Sequence, residues 1–319
     1  MTQRPDRNRR EPGYHRPVLA SEVAEVFRPL PAGVVVDATF GGGGHTRRLL
    51  ETMEHGTRII GIDRDPDALT HAGLAGDDRV TLIQGNFGRL AELLESVGAD
   101  SPVGVLFDLG VSSHQLDEAE RGFSYRHDGP LDMRMGPDAP FTAAEVVNEW
   151  ERNRLASVIR RYGEERHAGR IADAIVAARP LRSTGHLAQV VADAVPAPGR
   201  RRGHPARRTF QAIRIAVNGE LDAVREGLDQ ALGLLVEGGR CAVISYHSLE
   251  DRIVKRRFAA GAAGCICPPD LPVCACGRTA ELRLLTRRAI EPSPEEVEEN
   301  PRARSARLRA VEKNTEVAA

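Results

Sequence analysis

The sequence predicts an α/β fold: a doubly wound, Rossmann-like parallel sheet interrupted by an all-helical insert. Three observations carry that expectation. Short apolar, β-branched runs alternate with helical segments over residues 34–108. The alternation then stops, and residues 117–206 hold helical periodicity with no convincing strand. It resumes with two helical segments and a strand run at 240–244. Strands buried on both faces read as continuous Val/Ile/Leu runs, and their alternation with helices marks parallel βαβ units.

Element by element, residues 1–13 are polar with Pro5 and Pro12, and are expected to form a disordered tail. Val18, Leu19, Val23, Val26 and Phe27 keep helical spacing until Pro29 closes the helix. Val34-Val35-Val36 is a buried strand, followed by a glycine loop and a helix at 45–54. Strands at 59–62, 80–83 and 103–107 follow, with helices at 66–75 and 88–97 between them. In the insert, Thr142 with Glu145 forms a capping box that opens a helix running to Trp150. Residues 154–162, 168–178 and 185–194 also read as helical, and Pro196, Pro198 and the Gly199-Arg200-Arg201-Arg202-Gly203 run break the pattern. Helices at 210–217 and 221–236, the strand at 240–244, and a helix capped by Ser248 with Asp251 restore the α/β rhythm. The economical organisation is one α/β domain in two pieces, 14–116 and 207–319, around a helical insert at 117–206.

The chain's 319 residues carry 44 Lys+Arg against 45 Asp+Glu, a net charge of −1 that excludes a global basic field. Lysine occurs only at Lys255 and Lys313, so 42 of the 44 basic residues are arginine, a skew that genome base composition explains as readily as phosphate binding. No apolar run approaches a membrane span, and residues 1–10 are charged where a signal peptide needs an apolar stretch. The expected location is cytoplasmic, with no membrane partner. Locally the balance differs: residues 142–215 hold 14 arginines and 7 acidic residues, a surplus of seven, densest at Arg200 to Arg202 and at Arg207 and Arg208. Phosphate-backbone binding needs such a surface; a solvated loop is the plainer alternative.

The sequence Val35-Val36-Asp37-Ala38-Thr39-Phe40-Gly41-Gly42-Gly43-Gly44-His45-Thr46 leaves a strand and enters a helix. Glycines there let backbone approach a ligand. A dinucleotide fingerprint needs a third glycine to seat the helix. Counted from Gly41 that position is Thr46, and counted from Gly42 it is Arg47, so an NAD-dependent oxidoreductase is disfavoured. Asp37 ends the first strand, and Asp63 ends the second, twenty residues after Gly43. A carboxylate at Asp63 can accept both ribose hydroxyls of an adenosine. Phe87 follows the third strand, where an aromatic can lie against adenine, and Asp108 ends the fourth. Such positions at consecutive strand ends point to one crevice, and the set suits S-adenosylmethionine, which has no pyrophosphate. Taken singly, each acid could equally be a helix cap and Phe87 a core aromatic.

Longer motifs are more specific. They include His15-Arg16-Pro17-Val18-Leu19, Asp108-Leu109-Gly110-Val111-Ser112-Ser113-His114-Gln115-Leu116-Asp117, Arg121-Gly122-Phe123-Ser124-Tyr125 and Pro130-Leu131-Asp132-Met133-Arg134-Met135. Further on stand Tyr162-Gly163-Glu164-Glu165, His204-Pro205-Ala206-Arg207-Arg208-Thr209-Phe210-Gln211-Ala212-Ile213-Arg214, Ser245-Tyr246-His247-Ser248-Leu249-Glu250-Asp251-Arg252 and Asn300-Pro301-Arg302-Ala303-Arg304-Ser305-Ala306. Together they resemble the RsmH (MraW) family over about residues 14–312. The resemblance implies a Rossmann-like class I S-adenosylmethionine-dependent methyltransferase with an inserted all-helical, RNA-recognising domain. It implies methylation of the N4 amine of cytosine 1402, in ribosomal numbering, in the decoding region of bacterial 16S ribosomal RNA. The implied partner is that RNA, within the 30S subunit, and a homodimer is an open possibility. The residues it assigns to the methyl donor are Gly43, Gly44, His45, Asp63, Phe87, Asp108 and Gln115.

An exocyclic amine conjugated to a ring is a weak nucleophile, so such an enzyme must align nitrogen, methyl carbon and sulfur and accept hydrogen bonds from the amine. Related amino-methyltransferases place an acidic or amide segment with two prolines and an aromatic after the fourth strand. Asp108-Leu109-Gly110-Val111 departs from that pattern. The Asp108 carboxylate, or the carbonyls after it, is the candidate catalytic acceptor. His247 and His114 are weaker candidates for a general base, and Phe123, Tyr125 and Tyr246 are candidates for base stacking. A methyl-free assembly factor, or a protein or DNA methyltransferase, are the rival readings. Finally, Cys265, Cys267, Cys274 and Cys276 form a Cys-x-Cys-x6-Cys-x-Cys cluster. It could hold a tetrahedral, structural zinc, remain as reduced thiols, or form a disulfide.

Overall fold

The structure, a computed structural model, describes residues 17–71, 73–74, 76–196, 204–265, 267 and 276–315. The expected tail at 1–13, the Arg200 to Arg202 run and Cys274 lie outside the described residues. Seven strands form one sheet. Five of them, β1 (Val34–Asp37), β2 (Arg58–Asp63), β3 (Val80–Gln84), β4 (Gly104–Asp108) and β5 (Arg240–Ser245), pair in parallel where the sequence places them. Two more were not anticipated. β7 (Arg307–Lys313) runs antiparallel between β5 and the short β6 (Leu282–Leu284), giving the order β3-β2-β1-β4-β5-β7-β6. The strand signal is weak in both: β6 is three residues with two of them exposed, and β7 alternates its apolar side chains with arginines.

Period-two alternation supplies both faces of the sheet. Val36, Ile60, Val105 and Val243 point into one core, with Leu90, Leu94, Val224, Leu228 and Phe258. Their neighbours Val35, Ile59, Leu106 and Ile244 point into the other, with Val23, Phe27, Leu49 and Leu308. The helices that cover the sheet are α1 (Ala20–Phe27), α2 (Gly44–Thr52), α3 (Pro66–His71), α4 (Leu90–Glu95), α11 (Glu220–Leu234) and α12 (Ser248–Ala262). The cap of α12 differs from expectation. His247, not Ser248, is its N-cap, with Glu250 closing a reciprocal capping box. Ser248 instead bonds Glu164.

Between β4 and β5 lie α5 (Ser113–Asp117), α6 (Ala143–Glu149), α7 (Arg152–Gly163), α8 (Ala168–Ala177), α9 (Thr184–Ala194) and α10 (Arg207–Asn218). The Thr142–Glu145 capping box opens α6 as the sequence indicates. Val146, Leu155, Ile159, Ile171, Ile175, Leu187 and Val191 build a third core. Phe210, Ile213 and Val217 of α10 belong to it as well, so the helix beginning at 207 packs with the insert. Gly219, at φ 62°, then turns the chain into α11 and back to the sheet.

The joint between the two parts centres on Asn218, which is buried. Its amide accepts from Met135 N at 2.8 Å and donates to Met133 O at 2.8 Å and Arg214 O at 2.9 Å. Arg64, just past β2, donates to the Asn218 carbonyl at 2.9 Å and pairs with Asp138 at 2.9 Å. Replacing Asn218 by Leu strands a buried N–H and a buried carbonyl, each costing about 1–3 kcal/mol. Asn218→Leu is therefore expected to lower stability by about 2–4 kcal/mol, seen as a lower urea midpoint at unchanged slope.

Candidate functional site

The order of the sheet reverses beside β1, which leaves a crevice at the carboxyl ends of the strands. The loops leaving those ends enclose a cavity of about 740 Å³, within the roughly 300–1,000 Å³ of small-molecule sites. His45, Asp63, Phe87, Asp108 and Gln115 all border it, as do Gly41, Gly42 and Gly44. Gly43 sits behind the loop rather than on the cavity. At φ 70° it caps α2, and a Cβ there would meet Leu74 at 2.7 Å. A Cβ on Gly44 would press on Pro17 at 3.2 Å.

Asp108 is the hub of the site. The Tyr246 hydroxyl donates to its Oδ1 at 2.8 Å, and His45 Nε2 lies 3.3 Å from its Oδ2. Thr39, from the loop after β1, accepts the Asp108 backbone N–H. Asp37 lies beneath, fully buried and bonded by Thr46 Oγ1 at 2.8 Å. Burial raises the Asp37 carboxyl above the usual carboxylate range, although His45 and Thr46 oppose the shift. Burial pulls the His45 imidazole down, but Asp108 and Asp37 outweigh it and the net shift is upward. Burial and the Asp108 charge push the Tyr246 phenol well up, so it stays a donor. The Tyr246 hydroxyl thus serves the carboxylate, while the residue also borders the cavity.

Asp63 accepts from Gly41 N at 2.8 Å through Oδ2 and from Asp65 N at 2.9 Å through Oδ1. Burial pushes its carboxyl up to about 6 against those two bonds. Each oxygen retains a lone pair, which suits a pair of vicinal hydroxyls. Phe87 packs edge-on against Phe107, with centroids 5.5 Å apart. Gly227 makes room for it, since a Cβ there would meet the Phe87 ring at 2.8 Å. Gln115 borders the cavity with its amide already engaged. Its Oε1 accepts from Ser112 N at 3.1 Å in the capping box of α5, and its Nε2 donates to Asp65 at 2.8 Å. Asp65 in turn pairs with Arg121 at 2.8 Å.

The insert supplies the other wall. Arg207, Phe210, Gln211 and Arg214 border the cavity from one face of α10, at helical i, i+3, i+4, i+7 spacing. Tyr125 stacks on His204 with centroids 4.5 Å apart and meets Phe210 edge-on at 5.7 Å. Phe123 is buried at the same wall, and Arg302 and Arg304, not singled out from sequence, border the mouth. His114 and His247 both border the cavity, and His247 also caps α12 with Nε2 3.2 Å from Glu250. Glu220, His247 and Glu250 cluster, but Arg214 already holds Glu220 through bonds of 2.9 and 2.7 Å. Of the four cluster cysteines, Cys265, Cys267 and Cys276 gather their sulfurs within 4.8 Å of one another.

A reversed seventh strand on a doubly wound sheet defines a class I S-adenosylmethionine-dependent methyltransferase, with a glycine loop after β1 and a ribose-position acid after β2. The donor fits what is present: a carboxylate with two free acceptor positions, an aromatic beside it, and a buried His45 Nδ1 with no hydrogen-bond partner among the described residues. The chain belongs to the MraW methylase family, which matches residues 13–314. It is 54% identical over 307 residues to the ribosomal RNA small subunit methyltransferase H of Symbiobacterium thermophilum, covering 94% of this chain and 96% of that protein. Proteins of the same name from Heliobacterium modesticaldum and Geobacter sulfurreducens are each 52% identical, over 94% of this chain and 98% of theirs.

Ionised, Asp63 offers acceptor positions on both oxygens, and protonation turns one of them into a donor. Affinity for the demethylated donor, measured by calorimetry, should hold above pH 6 and fall as pH drops through the Asp63 value of about 6. Asp63→Asn should flatten that profile. Asp63→Ala should weaken binding about a hundredfold, from two charge-assisted hydrogen bonds lost.

Proposed function

We propose that the protein methylates the N4 amine of a cytosine in 16S ribosomal RNA, at position 1402 of the decoding region, with the 30S subunit as substrate. The relatives' names support ribosomal RNA of the small subunit as the substrate class. The observation that carries the reading is the cavity's composition. It runs from the acid-rich strand ends to a wall of Arg207, Phe210 and the Tyr125–His204 stack, leaving a place for a base beside the donor. A ribosomal substrate puts this work in the cytoplasm, and no described helix is long and apolar enough to cross a membrane.

When bound, S-adenosylmethionine supplies a methyl group on an electrophilic sulfonium. The chain's own residues have a narrower task. Asp108 is held from two sides, by His45 and Tyr246, and its carboxylate still has lone pairs for the two hydrogens of an amine. Accepting them would localise the nitrogen lone pair, which is otherwise delocalised into the ring. Gly110, at φ 101° against the Tyr246 ring, lets the chain leave β4 with Leu109 and Val111 on the cavity wall. A zinc ion at the cysteine cluster would be structural. The cluster follows the far end of α12, whose fifteen residues span about 22 Å from Ser248 beside the site.

Asp108→Ala should cut turnover at saturating donor by about a hundredfold or more, and Tyr246→Phe by about tenfold, the value of one hydrogen bond to a charged group. Single-turnover methyl transfer measures both, and full turnover by the Asp108 variant would remove the carboxylate from the chemistry. The reading as a whole is tested with radiolabelled donor on small subunits lacking the modification, with naked 16S RNA in parallel, followed by nucleoside mass analysis. Label in N4-methylcytidine at one site is the expected result. Donor binding without transfer to either RNA form would overturn the substrate.

A further inference from the structure

We propose that Cys265, Cys267 and Cys276 bind a zinc ion that fastens the loop between α12 and β6. The three sulfurs lie within 4.8 Å of one another, and those of Cys265 and Cys276 are 3.8 Å apart. Two sulfurs on one tetrahedral zinc, at about 2.3 Å each, must stand about 3.8 Å apart. A disulfide requires about 2.05 Å, and none of these three cysteines forms one.

Two further features fit a metal rather than a chance approach. The Cys267 backbone N–H donates to Cys265 Sγ at 3.4 Å, the kind of bond that steadies a ligating thiolate. The loop's ends are also already clamped outside the cluster. Glu281 N donates to Gly261 O at 2.9 Å, and Arg278 to Ala260 O at 2.9 Å. The sulfurs therefore meet beside two chain segments that already hold each other, Gly261 of α12 and Glu281 ahead of β6. An all-sulfur donor set selects zinc over magnesium or calcium. Binding displaces a proton from each thiol, so occupancy rises with pH. In the sequence, Cys274 completes the spacing, but the inference stands on the three described thiols.

The test uses the full chain, purified without a histidine tag, added metal or chelator. Metal content is read by mass spectrometry, and thiol reactivity by a chromogenic disulfide reagent before and after chelation. The expected result is one zinc per chain, with thiols that react about tenfold faster once the metal is removed. Buried Cys241 should stay silent in the native protein throughout. The Cys265→Ser/Cys276→Ser variant should lose the zinc yet keep its affinity for the demethylated donor, which shows that it folds. Three results would overturn the proposal: thiols that react at once without a chelator, thiols that react only after a reductant, or iron in place of zinc. None of them bears on the methyl-transfer reading.

Discussion

The Asp108 carboxylate, gripped by His45 on one side and Tyr246 on the other, is the contact on which the site's geometry depends. Parallel strands deliver their loops to the same edge of a sheet but do not fix where those loops go. Here a single side chain ties the loop after β1 to the loop after β5 across the end of β4. The arrangement also solves an electrostatic problem. Asp37, Asp63 and Asp108 crowd neighbouring strand ends, and burial raises the carboxyls of the first two. The upward shift of His45 favours its cationic form beside them. A floor of that kind favours a positively charged sulfonium over a pyrophosphate.

The insert is coupled to this floor rather than tethered to it. α10 sends Phe210 both into the helical core and onto the cavity wall, and Arg64 reaches from the end of β2 to the carbonyl of Asn218. Two parts of the chain that bury separate cores thus share a hydrogen-bonded joint a few residues from the chemistry. Any movement of the insert on the sheet must break or re-aim the bond from Arg64 to the Asn218 carbonyl.

Much of this was legible in local pattern. Valine and isoleucine runs locate the five parallel strands, because strands covered on both faces have no polar alternation to hide them. The glycine loop and Asp63 were legible because strand ends in such sheets converge on one crevice. What escaped was long-range. Nothing in the neighbourhood of Tyr246 says that its hydroxyl will meet a carboxylate from another strand, so it read as a stacking aromatic. His247 escaped as a helix cap because serine is the commoner choice there and stood next to it. Gln115 is the instructive intermediate. Its place near the crevice follows from its distance past Asp108, while the Ser112-x-x-Gln115 pattern is itself the capping box that commits its amide.

The position of β7 has a consequence for how the chain is made. β5 is flanked on one side by β4 and on the other by residues 307–313, which follow it in the chain only after α12 and β6. While the ribosome is still adding those residues, the sheet ends in a nascent edge with its ladder of N–H and C=O groups unpaired. The helical core, drawn from residues 123–217, closes much earlier in synthesis. The insert's core can therefore close before β5 gains its second neighbour, and the sheet is completed only once β7 emerges.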